Sequence, residues 1–388
     1  MEILLKLIFF TSGFLIFWAM IGYPLSLKML NKVYHNRQLV KDYSHKPSVT
    51  VMVVAHNEEK VIREKLNNIV QLNYPPEKIE FLVASDNSTD ETNNIVRGFI
   101  QEHPGKNIRL YEVKARKGKT NAQNEAQKTV KTEYLVMTDA NSIMEKHSVK
   151  ELMASFSSDD IAYVSGKLCI INQGATDVSH AEANYWNSDL AIREVEAKIQ
   201  TITAGNGAIY ACRTKEYYDF DPIQSHDSTM PRYFSLLGKR AICNHQAIAY
   251  EKAGEIIEDE FKRKVRMSRR ILKNILPDIR LLNIPKYGWY SYFYFGHRTC
   301  RYLLWVSHLF LFFSNAFLIL DSDYFLVSFI GQILFYLLAI IRAVTGINNK
   351  LLTIIYYYCM TILAQWIGVF NIVTGRVKPF WEKAESTR

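Results

Sequence analysis

The sequence predicts an α/β domain, a mainly parallel sheet with helices on both faces, held between apolar ends that cross a membrane. Three observations carry this prediction. Long charge-free stretches lie at both ends of the 388-residue chain. Between residues 47 and about 140, strand-like runs, the first of them β-branched, alternate with helical stretches. Polar residues gather where each of those runs ends. The mean hydropathy of −0.08 hides the division, because it averages a charged middle with apolar ends.

Residues 7–27 carry no formal charge, and 302–320, 324–341 and 351–375 are similarly apolar. A helix needs about 20 apolar residues to cross a bilayer, so each stretch is a candidate span. The first is long for a signal peptide and lacks a small-residue cleavage site before Lys28, so residues 1–30 read as a retained transmembrane anchor. Lys28, Lys32, Arg37, Lys41 and Lys46 follow it, whereas only Lys6, offset by Glu2, precedes it. Positive residues favour the cytosolic side, which places the middle region in the cytosol.

The other end is less regular. Residues 376–388 form a basic tail with Arg376, Lys378, Lys383 and Arg388, and three true C-terminal spans would put that tail outside. Either one apolar segment of 301–375 lies in the interface, or the aromatic stretch 287–295 inserts. Residues 276–300 as a whole read as an amphipathic, interfacial segment. The net charge of +9 then belongs largely to the membrane surface, with no nucleic-acid partner. A secreted soluble protein and a disordered chain fit equally poorly. The five cysteines are scattered, odd in number and never in a CxxC pair, which argues against a disulfide framework or a zinc site.

In the middle region, residues 49–54, 79–84, 108–113 and 134–138 read as strands. Helical stretches open near Glu58 and cover 89–101 and 121–130. Such alternation implies a parallel sheet, and ligands bind such sheets at the carboxyl ends of the strands. There the sequence places His56-Asn57-Glu58, Ser85-Asp86-Asn87-Ser88-Thr89-Asp90, Arg116-Lys117-Gly118-Lys119 and Asp139-Ala140-Asn141. One such cluster is ordinary loop solvation or capping; four on one rim make a site. Gly118-Lys119-Thr120 imitates the end of a phosphate-binding P-loop, but the glycine required five residues earlier is Val113.

Taken in order, several blocks resemble those of membrane-bound family 2 glycosyltransferases, the kind that includes cellulose, hyaluronan and poly-N-acetylglucosamine synthases. They are Val-Val-Ala-His-Asn-Glu-Glu (53–59), Ser-Asp-Asn-Ser-Thr-Asp (85–90), Lys-Gly-Lys (117–119) and Thr-Asp-Ala-Asn-Ser (138–142). Tyr185-Trp186, Gly205-Asn206-Gly207-Ala208, Asp227 to Pro231, Gly238-Lys239-Arg240, Ala247 to Glu251 and Arg263-Lys264-Val265-Arg266 follow. The resemblance covers residues 47–275. It implies a GT-A fold and a cytosolic catalytic domain at the bacterial inner membrane. It also implies an inverting sugar transfer from a nucleotide-diphosphate sugar, UDP-linked, to a lipid-linked or growing glycan acceptor, with membrane lipids and polysaccharide-assembly proteins as partners.

Carried over residue by residue, the resemblance gives Asp86 to the base or ribose, and Glu58 and the backbone of Ala55 to the nucleoside-facing loop. Lys117 and Lys119 suit uracil or phosphate contact. Asp139 and Asn141 match a metal motif whose second residue is usually an acid; with Asp139 they imply Mg²⁺ or Mn²⁺ bridging the donor phosphates. Asn141 brings no charge to that site. Asp227 aligns with the acid that takes the acceptor proton, and His226 stands where the family carries a second acid. It reads as a surface or supporting residue. Gly207 lies in a small-residue turn, compatible with close approach of the transferred sugar and equally with a simple tight turn. Arg263 and Arg266 match an element that holds the diphosphate, a task suited to the planar guanidinium. Their wider run, from Lys262 to Arg270, also suits anionic headgroups. The family's tryptophan after the last arginine is Met267 here, which lowers the case for a processive synthase. Tyr185-Trp186 reads as packing in preference to an acceptor platform. A non-catalytic subunit that binds nucleotide-sugars is the remaining alternative, opposed by the presence of both Asp139 and Asp227.

Overall fold

A computed structural model describes residues 1–34, 39–347 and 349–377, so Arg37 and most of the basic tail lie outside the described residues. The chain divides into two units. One contains residues 31–255 and 284–290; the other contains 1–30, 256–283 and 291–377.

The first unit is built on β1 (Val49–Ala55), β2 (Ile79–Ser85), β3 (Ile108–Glu112), β4 (Tyr134–Asp139), β5 (Ile143–Met144), β6 (Ile161–Ile170), β7 (Ile209–Arg213) and β8 (Arg240–Glu251). They form one sheet in the order β3-β2-β1-β4-β7-β6-β8-β5. β1 runs parallel to β2 and β4, and β2 to β3. β7 is antiparallel to both its neighbours, while β6 and β8 are parallel. The four strands read from sequence are therefore all present, and the sheet is mixed in its second half.

All seven residues of β1 are buried, as a strand between two others with both faces covered requires. The helix Ile62–Ile69 turns Ile62, Leu66 and Ile69 into this core, and Thr92–Glu102 contributes Val96 and Phe99. Parallel register aligns Ala55 with Ser85, and Val54 with Asp139, so the polar segments after β1, β2 and β4 emerge along one edge.

The second unit is helical. Glu2–Phe17, a π-helical turn over Trp18–Gly22, and Tyr23–Val33 make one helix of 32 residues. Among the described residues, Asp323–Thr345 and Lys350–Val373 are its other helices long and apolar enough to cross a membrane. Leu304–Leu318 has 15 residues, and at 1.5 Å per residue it falls short of a hydrocarbon core of about 30 Å. The aromatic stretch forms short helices, Ile284–Tyr287 and Trp289–Phe293. Residues 256–275, assigned by sequence to the end of the sheet domain, group with the apolar helices. The cause is local: Ile257–Met267 packs along Lys350–Val373, and Gly368 lies against Ser268 so closely that an added Cβ would strike it.

Candidate active site

Four side chains or backbone positions from four different segments meet at one point. A methyl group placed on Gly207 would lie 3.1 Å from Lys119 Nζ, 3.3 Å from Asp139 Oδ2 and 3.8 Å from Asp227 Oδ2. Lys119 opens the helix Lys119–Gln127, Asp139 ends β4, Gly207 precedes β7 and Asp227 lies in the first turn of His226–Leu236. The Lys119 ammonium donates to Asp139 Oδ1. Burial works against that ammonium, but Asp139, Asp227 and Glu251 together raise its pKa above the ordinary lysine value.

Asp227 is held by its backbone. Its carbonyl accepts Gly205 N–H at 2.8 Å and the Tyr163 hydroxyl at 3.4 Å. Asn206 fixes the intervening turn, donating to Gly166 O at 2.7 Å and accepting from the N–H groups of Ala208 and Ile209. His226, expected at the surface or in support, is buried at 1% exposure. Its Nδ1 pairs with Gln123 Oε1 at 2.9 Å, and Gln123 Nε2 donates to Tyr210 Oη at 2.9 Å. Burial first, and the Lys119 charge second, hold His226 down to about 3, so it is a neutral imidazole. The loop from Tyr217 to Phe220 covers it, with ring centroids at 4.9 Å and 5.3 Å.

A second cluster follows the ends of β1 and β2. Asp86 is 3% exposed; Oδ1 accepts Lys117 N–H at 3.1 Å and Oδ2 accepts Gly118 N–H at 2.9 Å. Its own N–H donates to Ala55 O at 2.8 Å, and its carbonyl pairs with His56 Nδ1 at 2.7 Å. Asp86 thus ties three rim segments together. Gly118, at φ 98° and ψ 167°, adopts a conformation that a side chain resists. Glu58 is buried at the entry to Ile62–Ile69, where its N–H donates to Thr92 Oγ1 at 2.7 Å. Lys117 is exposed beside this cluster.

Arg263 and Arg266 lie on Ile257–Met267, which belongs to the helical unit. The Arg263 fork is engaged by buried Glu260, with contacts of 2.7 Å and 3.0 Å. Trp186 packs against the sheet core and donates to Glu182 Oε1 at 3.3 Å, in keeping with a packing role, while Tyr185 is exposed.

Sequence reasoning missed Lys65. It is wholly buried, and its ammonium donates to Thr138 Oγ1 at 2.8 Å and to Ser142 O. Burial draws it down to about 7, against the opposing pull of Asp139 and Glu251. The signal was present: Lys65 shares a helix face with Ile62, Leu66 and Ile69. Glu251, at the end of the 247–251 block, accepts from Ser142 Oγ.

No group of three or more His, Cys, Asp or Glu side chains poised for a metal occurs among the described residues. The donor set at Gly207 nonetheless fits a hard divalent ion. Asp139 brings a carboxylate oxygen to this point, where a Cβ on Gly207 would crowd it, and Asn141, two residues on in the chain, carries an amide oxygen; hard divalent ions take such oxygens and draw their remaining ligands from phosphate and water.

Residues 50–226 match the family model described as glycosyl transferase family 2. These residues are a family 2 glycosyltransferase domain. Within this family, the probable glycosyltransferase YdaM of Bacillus subtilis (strain 168) is 36% identical over 132 residues, 34% of this chain and 31% of that protein. A beta-monoglucosyldiacylglycerol synthase of Nostoc sp. is 26% identical over 140 residues, 36% of this chain and 28% of that protein. The match thus spans about a third or less of the length of these two relatives. A poly-beta-1,6-N-acetyl-D-glucosamine synthase of Staphylococcus epidermidis is 20% identical over 292 residues, 72% of this chain and 69% of its own. Among solved structures, mannosyltransferase PcManGT from Pyrobaculum calidifontis, in complex with GDP-Man and Mn²⁺, aligns with a TM-score of 0.71 at 19% identity. The alignment covers 96% of this chain and 100% of that one. This likeness establishes the GT-A fold of the family 2 domain.

Proposed function

We propose that the chain transfers a sugar, with inversion, from a UDP-sugar to a lipid-linked or growing polysaccharide acceptor at the inner face of a bacterial plasma membrane. The observation that carries this reading is the convergence of Lys119, Asp139 and Asp227 on Gly207. Asp227 takes the proton of the acceptor hydroxyl as its oxygen attacks the anomeric carbon, and the bond to the nucleoside diphosphate breaks. Lys119 offers positive charge to the departing diphosphate. Asp139 and Asn141 would hold Mg²⁺ or Mn²⁺, which supplies further charge neutralisation when bound. Asp86 and Glu58 shape the nucleoside rim, with Lys117 beside it. The helices long enough to span a bilayer support a membrane location.

Asp227→Asn in the purified full-length protein tests the reading. Release of nucleoside diphosphate from a panel of UDP-sugars should fall about 10²–10⁴-fold with nucleotide binding intact. Undiminished transfer would show that Asp227 is not the base. A processive synthase is the second reading, favoured by the similarity to a poly-N-acetylglucosamine synthase over 72% of this chain. Product length separates one added sugar from a polymer.

A further inference from the structure

The helix Ile62–Ile69 does more than cover the sheet. Lys65 Nζ reaches Thr138 and Ser142, the residues on either side of Asp139-Ala140-Asn141. One turn further along the same face, Asn68 Nδ2 donates to Met144 O at 2.8 Å and Asn68 Oδ1 accepts Met144 N–H at 2.8 Å. Two consecutive rungs of one helix therefore clamp the segment 138–144. Ser142 closes the turn from the other side, its N–H donating to Asp139 O at 3.2 Å and its hydroxyl to Glu251. The turn before the helix starts at Glu58, whose carbonyl accepts the N–H groups of Val61 and Ile62. Together, this turn and the helix run from the nucleoside rim to the Asp139 turn.

A lysine is a costly way to satisfy a hydroxyl and a carbonyl at this depth, since a buried ammonium loses its water and is tolerated only when well paired. A neutral amide would serve the same acceptors. What the lysine adds, when protonated, is a charge in the field of Asp139 and Glu251, in surroundings that screen it weakly. Both carboxylates act electrostatically on Lys65.

Resting on the reading of Asp139 and Asn141 given above, we propose that Lys65 and Asn68 are positioning residues. They set the Asp139-Ala140-Asn141 turn for a nucleoside diphosphate bound together with a divalent cation, and leave contact with the nucleoside itself untouched.

The test uses full-length protein in detergent with Lys65→Met, Asn68→Ala and Thr138→Val, the last keeping the lysine while removing one acceptor. Hydrogen–deuterium exchange should rise in peptides covering 138–145 and stay unchanged across Val49–Ala55. By calorimetry, Lys65→Met should weaken UDP binding in Mn²⁺ about 10–100-fold, the scale for residues that orient metal ligands, with UDP binding in EDTA unchanged. If Lys65→Met fails to fold, Thr138→Val and Asn68→Ala carry the same comparison with smaller shifts. Unchanged exchange in the folded variants would overturn the proposal, and so would equal loss of UDP with and without Mn²⁺. Should the wild type bind no UDP at all, the proposed donor fails, and the exchange measurement still decides the positioning role.

Discussion

The Asp86 carboxylate at the start of one rim loop accepts the Gly118 N–H of another at 2.9 Å. That bond sets where the helix Lys119–Gln127 begins, and hence where the Lys119 ammonium meets Asp139. Asp86→Ala removes both of its backbone partners at once. Hydrogen bonds to a charged group contribute about 1.5–3 kcal/mol, so nucleotide affinity should fall at least about tenfold in calorimetric titration. Gly118→Ala should act similarly from the other side, because its backbone conformation costs a side chain about 1–3 kcal/mol.

Gly207→Ala separates chemistry from stability. The added methyl meets the flexible end of Lys119 at 3.1 Å and Asp139 Oδ2 at 3.3 Å, so the fold accommodates it while both side chains give by a few tenths of an ångström. Transfer should fall by up to about 10²-fold, the upper figure being what a misplacement of about 1 Å costs. The melting temperature should remain near that of the wild type. Gly205→Ala makes the contrast, since its methyl would drive into the Tyr163 hydroxyl beneath the Asp227 carbonyl and lower the melting temperature.

His226 makes acid stability measurable. Folding holds its pKa at about 3 against an ordinary 6.5. Between those values the unfolded chain takes a proton that the folded chain refuses. Stability contributed by the neutral ring is therefore complete above pH 6.5 and is lost as pH falls towards 3. The slope for this group approaches about 1.4 kcal/mol per pH unit. In His226→Gln, thermal denaturation should show a flatter acid limb than in the wild type; parallel curves would contradict the buried neutral ring.

The helix Asp177–Ile199 carries a buried ion pair, Arg193 Nη2 to Asp189 Oδ2 at 2.7 Å, with the side chains 1% and 4% exposed. Asp189→Ala strands the guanidinium and should cost about 3–5 kcal/mol in chemical denaturation. Replacing both partners, as in Asp189→Leu with Arg193→Met, should recover most of that loss.

The sequence was most legible where residue type and position act together. β1 is a β-branched run, β2 to β4 are short strands rich in apolar residues, and each is followed by a polar cluster, so both the strands and the rim could be read. β7 could not. Its antiparallel insertion between β4 and β6 depends on where the chain returns after Asp177–Ile199, which no local pattern encodes. His226 looked superficial because its neighbours Ser225 and Asp227 are polar; Tyr217 and Phe220, distant enough to seem unrelated, bury it. Lys65 was hidden among Lys60, Arg63 and Glu64, which make a charged helix surface. Only its phase with Ile62 and Leu66 sets it apart. Arg263 shows the converse: a motif supplied its role, and the helix supplied Glu260 as its partner.

The N-terminal helix bears on how this protein can be prepared. The Tyr23 ring lies directly on Gly296, and Ser26 Oγ and Tyr292 Oη are 2.5 Å apart. Cutting the chain after residue 33 to improve solubility would therefore uncover the floor on which Tyr23 rests. The remaining helices would then be prone to aggregate or to recruit the same surface of another molecule.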